Sequence, residues 1–159
     1  MSNTPHVLIA GAGIGGLTAA LAMLKVGIDV DIYEQAPQLG EIGAGFQMSA
    51  NGTRVLSYLG IGEAMEKIAW QPSGKEIRIW NTGQTWKLFD LGAESVERYG
   101  FPYLMFHRAD LHQLLVDAVR AEKSDAIHLN AFCTGCSQGD TEVTLHLKDN
   151  DDISGDVLI

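Results

Sequence analysis

The apolar residues change rhythm along the chain, and the rhythm predicts the elements. His6-Val7-Leu8-Ile9-Ala10 is a short apolar run without alternation, the pattern of a strand buried on both faces. Gly11 to Gly16 break the run. Ile14, Leu17, Leu21 and Leu24 then recur at helical spacing, with Ala19, Ala20 and Ala22 between them, so a buried helix is expected up to Gly27. Ile28 to Glu34 returns to an extended pattern. Strand, glycine turn, helix and strand make one βαβ unit.

The middle is less regular. Gln38 to Gln47 reads as a glycine-rich loop holding Gly40, Gly43 and Gly45. Asn51 is placed to cap a short helix through Leu59, with Gly60 and Gly62 at its end. Glu76 to Trp80 and Thr85 to Phe89 read as strands joined around Asn81-Thr82-Gly83, and Pro102 to His107 as another extended run. Arg108 to Glu122 is the clearest amphipathic helix, with Leu111, Leu114, Leu115, Ala118 and Val119 on one stripe. Ile127-His128-Leu129 reads as a strand. In the tail, Val143, Leu145 and Leu147 share one face of a strand over Thr141 to Leu147, with turns at Gly139-Asp140 and Asp149 to Asp152.

Composition narrows the classes. Of 159 residues, 46% are apolar and 19% charged, which excludes bulk disorder. Eleven Lys and Arg against 20 Asp and Glu give a net charge of −9, so the surface repels phosphate backbones and anionic lipid headgroups. The stretch from Val7 to Leu24 is not a signal peptide, because no Lys or Arg precedes Lys25, and its glycines argue against a membrane span. A reduced, cytoplasmic protein is expected. Cys133 and Cys136 have Cys-x-x-Cys spacing but do not open a helix, so a structural role is expected over a redox one. His6, His107, His112, His128 and His146 make no metal spacing and read as structural or surface residues. Trp70, Trp80 and Trp86 are expected mostly in sheet packing.

The motif with chemistry is Gly11-Ala12-Gly13-Ile14-Gly15-Gly16, a Gly-x-Gly-x-x-Gly turn. It leaves a strand and opens a helix, with an acid, Glu34, close to the usual spacing of ~20 residues. Gly11 permits the tight turn, Gly13 lets a pyrophosphate approach the backbone, and Gly16 lets helix and strand pack closely. The helix N-terminus presents N–H groups and partial positive charge to phosphates. Glu34, ending the second strand, can accept hydrogen bonds from both ribose hydroxyls and would repel a 2′-phosphate. Arg108 opens its helix against the macrodipole. Either a nearby anion such as a diphosphate or an acid such as Asp110 or Glu97 would offset it. The third parallel strand is not reached until Ile127, far beyond the single βα unit of a simple nicotinamide-binding fold, which suits a larger cofactor.

These motifs, with Tyr33-Glu34-Gln35-Ala36, Glu41-Ile42-Gly43-Ala44-Gly45-Phe46-Gln47, His107-Arg108-Ala109-Asp110-Leu111 and Gly155-Asp156-Val157-Leu158-Ile159, carry a resemblance. The chain resembles the N-terminal FAD-binding part of the single-component flavoprotein aromatic hydroxylases, such as salicylate hydroxylase and 3-hydroxybenzoate 6-hydroxylase. Ala50-Asn51 stands where relatives often carry Pro-Asn. The resemblance implies an α/β, Rossmann-like FAD-binding fold with parallel strands, inserted strands and a β-meander crossover. It implies one FAD-binding domain over 1–159, an N-terminal fragment without the family's downstream flavin- and substrate-binding segments.

The implied cofactor is FAD, with NAD(P)H as transient electron donor. The implied activity is hydroxylation of a small aromatic acid such as a hydroxybenzoate with O2, by a protein that can form a homodimer when full-length. Gly11, Gly13, Gly15 and Gly16 would hold the FAD pyrophosphate, Glu34 the adenosine ribose, and Gln35 would lie beside the adenine. Gln47 would follow the ribityl or phosphate part after the close approach of Gly45. Arg108 would contact FAD, and the Cys133 backbone would touch the adenine. No catalytic side chain and no metal ligand is assigned. A flavoprotein oxidoreductase without oxygenation, or a non-catalytic nucleotide-binding fragment that does not turn over, are the alternatives.

Overall fold

The computed structural model describes residues 4–40, 43–149 and 151–159. Glu41 and Ile42 of the resemblance motif, and Asn150 of the expected turn, lie outside the described residues. In chain order the elements are β1 (His6–Ala10), α1 (Ile14–Lys25), β2 (Asp29–Tyr33), β3 (Gly45–Met48), α2 (Ala50–Tyr58), α3 (Gly62–Ile68), β4 (Gly74–Arg78) and β5 (Thr85–Asp90). They continue with α4 (Ala93–Tyr99), β6 (Leu104–His107), α5 (Arg108–Glu122), β7 (Ile127–His128), β8 (Cys133–Gln138), β9 (Val143–Leu147), β10 (Ile153–Gly155) and β11 (Val157–Leu158). The chain forms two compact units. One joins Met1–Glu41 to His112–Ile159; the other is Ile42–Leu111.

The first unit is built on a parallel sheet of order β11-β1-β2-β7. β1 is apolar on both faces, as the unalternating run predicts, while β2 alternates and buries Val30 and Ile32 opposite Asp29 and Asp31. Val7, Leu8, Ile9, Val30 and Ile32 are all buried, as are Leu17, Ala20 and Leu21 of α1. Each large side chain so buried contributes roughly 1.5–3 kcal/mol over its exposed state. Between β7 and β11 the chain makes an antiparallel meander of order β10-β9-β8. Its alternating face places Leu145 against Leu8, Tyr33 and Ala131, with Cys133, Leu147, Ile153 and Leu158 around them. The meander is thus the crossover that returns the chain to the sheet beside β1. Gly155 permits that return, because a Cβ there would lie 2.8 Å from Leu8 Cγ and 3.1 Å from the His6 carbonyl oxygen.

One face of this sheet carries a charge cluster across β1, β2 and β7. Asp31 accepts hydrogen bonds from His6 Nε2 at 2.8 Å, Lys123 Nζ at 3.0 Å and His128 Nε2 at 3.0 Å. Lys123 also reaches Asp29 at 2.8 Å, so the protein's own ammonium sits among the carboxylates of the cluster His6, Asp29 and Asp31. Burial pushes the Asp31 carboxyl upward, but the bonds from His128, Lys123 and His6 outweigh it and hold its pKa below the ordinary value. A depressed carboxylate stabilises the fold fully above its unfolded pKa of about 3.9, and that stabilisation is lost as pH falls through the lower folded value. Asp31→Asn is expected to cost about 1–3 kcal/mol near neutral pH. The difference from the parent should shrink in melts taken progressively below pH 3.9 or so. A constant difference through the acid range would show that Asp31 acts by shape and not charge.

The second unit contains two antiparallel pairs, β3-β6 and the β4-β5 hairpin, with α2, α3 and α4. The hairpin turns near Asn81-Thr82-Gly83, as expected, with Gly83 at φ 71°. Three expectations are corrected here. Gly45 and Gln47 do not lie in a loop: they are in β3, paired with His107 and Met105 of β6. Ser49 occupies the N-cap position of α2, and Asn51 lies in the first turn, where its Oδ1 accepts from Ser49 Oγ at 2.5 Å. Trp70, Trp80 and Trp86 are 81%, 93% and 47% exposed, so they are not packing residues of the described unit. Two short helices, α3 and α4, are additional to the sequence reading. No helix among the described residues is long and apolar enough to cross a membrane.

Candidate functional site

The glycine turn links β1 to α1, and each glycine in it meets a different constraint. Gly11 has φ 106°, a conformation that disfavours any side chain. At Gly16 a Cβ would fall 2.2 Å from the Gly11 carbonyl oxygen and 3.2 Å from Ile9 Cγ2, so the helix lies directly against the turn. At Gly13 and Gly15 a Cβ would meet nothing within 4 Å. The turn is therefore closed on its packing side and open at Gly13 and Gly15. Gly13 is also the N-cap of α1, which has no side-chain cap and no acid in its first turn. The first N–H groups of the helix consequently lack intrahelical acceptors. This donor set fits an anionic diphosphate: bare backbone, open space and no competing carboxylate in the first turn.

Glu34 stands immediately after β2, beside this turn. Its Oε2 accepts from the Ala12 backbone N–H at 2.8 Å and its Oε1 from the Ala36 N–H at 2.9 Å. Each carboxylate oxygen has a further lone pair, so an acid held in this way can still accept from a ligand hydroxyl. The β7–β8 loop folds against the same segment, with Ala131 N–H donating to the Glu34 carbonyl and Asn130 N–H to the Ala36 carbonyl. Asn130 adopts φ 56°, a left-handed conformation that asparagine tolerates better than most residues. Gln35 is exposed beside Glu34. Cys133 follows the loop at the start of β8. Burial, then the charge of Glu34, pushes its thiol pKa up. Both cysteines are free, and they lie along strand β8 and not at a helix start. A raised, half-buried thiol on a strand fits the expected structural role for Cys133, whereas Cys136 is exposed and departs from the expected burial.

One residue missed as a site candidate belongs to this turn. His112 on α5 is 4% exposed, and its Nε2 lies 2.7 Å from the Ala12 carbonyl oxygen. A lone histidine on an amphipathic helix carries no local signal of such a bond, because its partner is near the other end of the chain.

The remaining expected residues belong to the second unit. Gly45 and Gln47 lie on β3, where Gln47 Oε1 accepts a hydrogen bond from the Tyr103 hydroxyl. Arg108 opens α5 with an exposed side chain, and its N–H donates to the Ala44 carbonyl at 3.1 Å. Gly43 is pressed against His107, with a Cβ position 2.1 Å from the imidazole. Within the first unit the structure thus brings the glycine turn, Glu34 and Cys133 together. Within the second it gathers Gly45, Gln47 and Arg108 around the β3–β6 pair.

Residues 9–58 match the family model described as NAD(P)-binding Rossmann-like domain. Over 158 residues the chain is 35% identical to a 3-amino-4-hydroxybenzoate 2-monooxygenase of Streptomyces platensis, covering 99% of this chain and 39% of that protein. It is 38% identical to 3-hydroxybenzoate 6-hydroxylase 1 of Aquipseudomonas alcaligenes, covering 97% of this chain and 39% of that protein. Among solved structures, Klebsiella pneumoniae HpxO complexed with FAD and uric acid superposes with a TM-score of 0.82 at 28% identity, over 99% of this chain and 39% of that one. The chain therefore spans about two fifths of the length of the relatives it matches. The motifs, the parallel sheet with its meander crossover and the likeness along nearly the whole chain lead to one conclusion: the chain matches the N-terminal part of FAD-dependent aromatic hydroxylases.

Proposed function

We propose that residues 1–159 form the FAD-binding, N-terminal portion of a monooxygenase that uses NAD(P)H and O2 to hydroxylate a small aromatic acid such as a hydroxybenzoate. The observation that carries this reading is the joint geometry of the glycine turn and Glu34. The turn offers open backbone at Gly13, and the Glu34 carboxylate is held against the same turn through Ala12. A diphosphate and its neighbouring ribose need those two features side by side.

In this reading Gly11, Gly13, Gly15 and Gly16 hold the pyrophosphate, and Glu34 accepts from the ribose hydroxyls. Gln35 and the Cys133 backbone flank the adenine. Gly45, Gln47 and Arg108 are assigned to the flavin side by the resemblance. FAD, when bound, supplies the electron transfer and the dioxygen chemistry. The chain's own residues bind it, orient it and exclude a 2′-phosphorylated competitor through the negative charge of Glu34. Oxygenation of a ring, not electron transfer alone, is supported by the relatives named above, which are hydroxylases and monooxygenases.

The test is a chimera in which residues 1–159 replace the matching part of the 3-hydroxybenzoate 6-hydroxylase. The chimera is expected to retain FAD and to couple NAD(P)H oxidation to hydroxylation of 3-hydroxybenzoate. A folded chimera that retains no FAD overturns the binding role. One that consumes NAD(P)H without forming product favours an oxidoreductase without oxygenation.

A further inference from the structure

We propose that His112 is a positioning residue for nucleotide binding: its buried imidazole fixes the orientation of the Ala12–Gly13 peptide in the phosphate turn. The proposal rests on the reading that this turn takes a diphosphate. A carbonyl oxygen only accepts hydrogen bonds, so the 2.7 Å contact between His112 Nε2 and the Ala12 oxygen requires the proton to be on Nε2. The bond joins residues 100 positions apart, and His112 is almost wholly buried. The imidazole is therefore a fixed donor built into the interior beneath the turn.

The consequence follows from peptide geometry. In a trans peptide the carbonyl of one residue and the N–H of the next lie in one plane and point in opposite directions. Holding the Ala12 carbonyl inward against His112 aims the Gly13 N–H away from the imidazole. Gly13 is a position of the turn where a Cβ would meet only open space. Ala12 is held on its other side as well, since its N–H donates to Glu34 Oε2 at 2.8 Å. Ala12 is thus tied at its nitrogen to the ribose-facing acid and at its oxygen to the imidazole.

This double restraint matters because each neighbouring glycine has only a backbone tie: the Gly11 N–H donates to the Tyr33 carbonyl at 2.8 Å, and the Gly13 carbonyl accepts from the Leu17 N–H at 2.9 Å. Gly11 and Gly13 have no side chains, and glycine backbone samples more conformations than any other. Without a donor at position 112 the Ala12 carbonyl is left buried and unpaired. Rotating the Ala12–Gly13 peptide relieves that cost and turns the Gly13 N–H away from the ligand. The glycines give the turn its space, and His112 sets which way it faces.

The experiment compares four proteins: the parent chain, His112→Gln, His112→Met and His112→Asn. Glutamine can place an amide N–H near the position of Nε2. Methionine fills the space without a donor, and asparagine has a donor too short to reach. Isothermal titration is run with ADP, which carries the diphosphate, and with adenosine, which does not, alongside thermal melts. His112→Met and His112→Asn are expected to weaken ADP binding about tenfold while adenosine affinity stays within about twofold. His112→Gln should recover most of the ADP affinity. A merely structural role predicts equal loss for both ligands in proportion to the melting temperature, with no rescue by glutamine, and that outcome overturns the proposal. Parent-like ADP affinity in a folded Met or Asn variant overturns it as well. Failure of the parent chain to bind ADP at all would instead remove the diphosphate reading on which the proposal stands. If methionine prevents folding, the Gln and Asn pair still separates donor reach from packing.

Discussion

Gly13→Val is expected to abolish FAD retention while leaving the melting transition close to that of the parent; Gly16→Ala is expected to damage the fold itself. The two glycines sit in one motif but face different surroundings. Gly13 has φ −73° and ψ 175°, an extended conformation open to any residue, and its Cβ position has no neighbour within 4 Å. A valine fits there without disturbing the chain, and its methyl groups occupy the space through which a pyrophosphate would approach. At Gly16 the nearest atom to an added Cβ is a backbone oxygen at 2.2 Å, which cannot rotate aside as a side chain can. Overpacking of that kind costs about 1–3 kcal/mol or more. At roughly 2–4 °C per kcal/mol for a chain of this size, the melting temperature should fall by several degrees. Flavin fluorescence titrations and thermal melts on both variants check the pair. Unchanged FAD affinity in Gly13→Val would remove Gly13 from the site, and an unshifted melt in Gly16→Ala would remove the packing argument.

Glu34→Gln is expected to weaken FAD binding tenfold or more, for two separable reasons. The carboxylate now accepts from two backbone N–H groups, of Ala12 and Ala36, one on each oxygen. An amide keeps one oxygen and turns an NH2 group toward the other donor, so one of these bonds is lost and the side chain is held by the other alone. The bonds to the ribose also lose their charge assistance; a hydrogen bond to a charged group is worth about 1.5–3 kcal/mol. Glu34→Ala should bind at least as weakly. Discrimination isolates the charge from the shape. The parent should favour ADP over 2′-phospho-ADP, and Glu34→Gln should narrow that preference because the repulsive carboxylate is gone. Parent-like affinity in both variants would exclude Glu34 from the ribose site.

Much of the first unit was legible because its signals are local. The βαβ start needs only a short apolar run, a glycine turn and a helical period within adjacent residues. α5 was legible for the same reason, since Leu111, Leu115 and Val119 lie on one stripe and are wholly buried. The alternation in β9 likewise foretold that Val143 and Leu145 face inward. What escaped depends on distant partners. β3 looks like a loop because its strand character comes from pairing with β6 across α2 to α4, and no residue of Gly45-Phe46-Gln47-Met48 announces that partner. α4 carried end signals, with Glu94 in its first turn, Arg98 in its last and Gly100 at φ 75° closing it. Its seven residues bury only Ser95, so it lacked an apolar stripe. His112 was set aside as a structural or surface residue because neither its burial nor its partner in the glycine turn has a local signal.

The order in which the ribosome delivers this chain differs from the order in which its contacts can close. β2 pairs with β7 across the whole inserted segment 42–111, and β1 pairs with β11 across nearly the full length. The parallel sheet therefore begins with β1 and β2 but cannot complete either flank until β7 and β11, both beyond the inserted segment, have emerged. The inserted unit is contiguous in sequence and needs no residue outside itself to form its β3–β6 and β4–β5 pairs. Loop closure over so long a span is slow, and strand edges left open in the meantime invite pairing with other chains. The inserted unit is expected to gain amide protection first during refolding, and β1 and β2 last, as pulsed hydrogen exchange would show; early protection of β1 would mean that the sheet nucleates on its α1 contacts alone. A protein so arranged should be most prone to aggregation in the interval of synthesis between β2 and β11, when β1 and β2 exist and their outer partners do not.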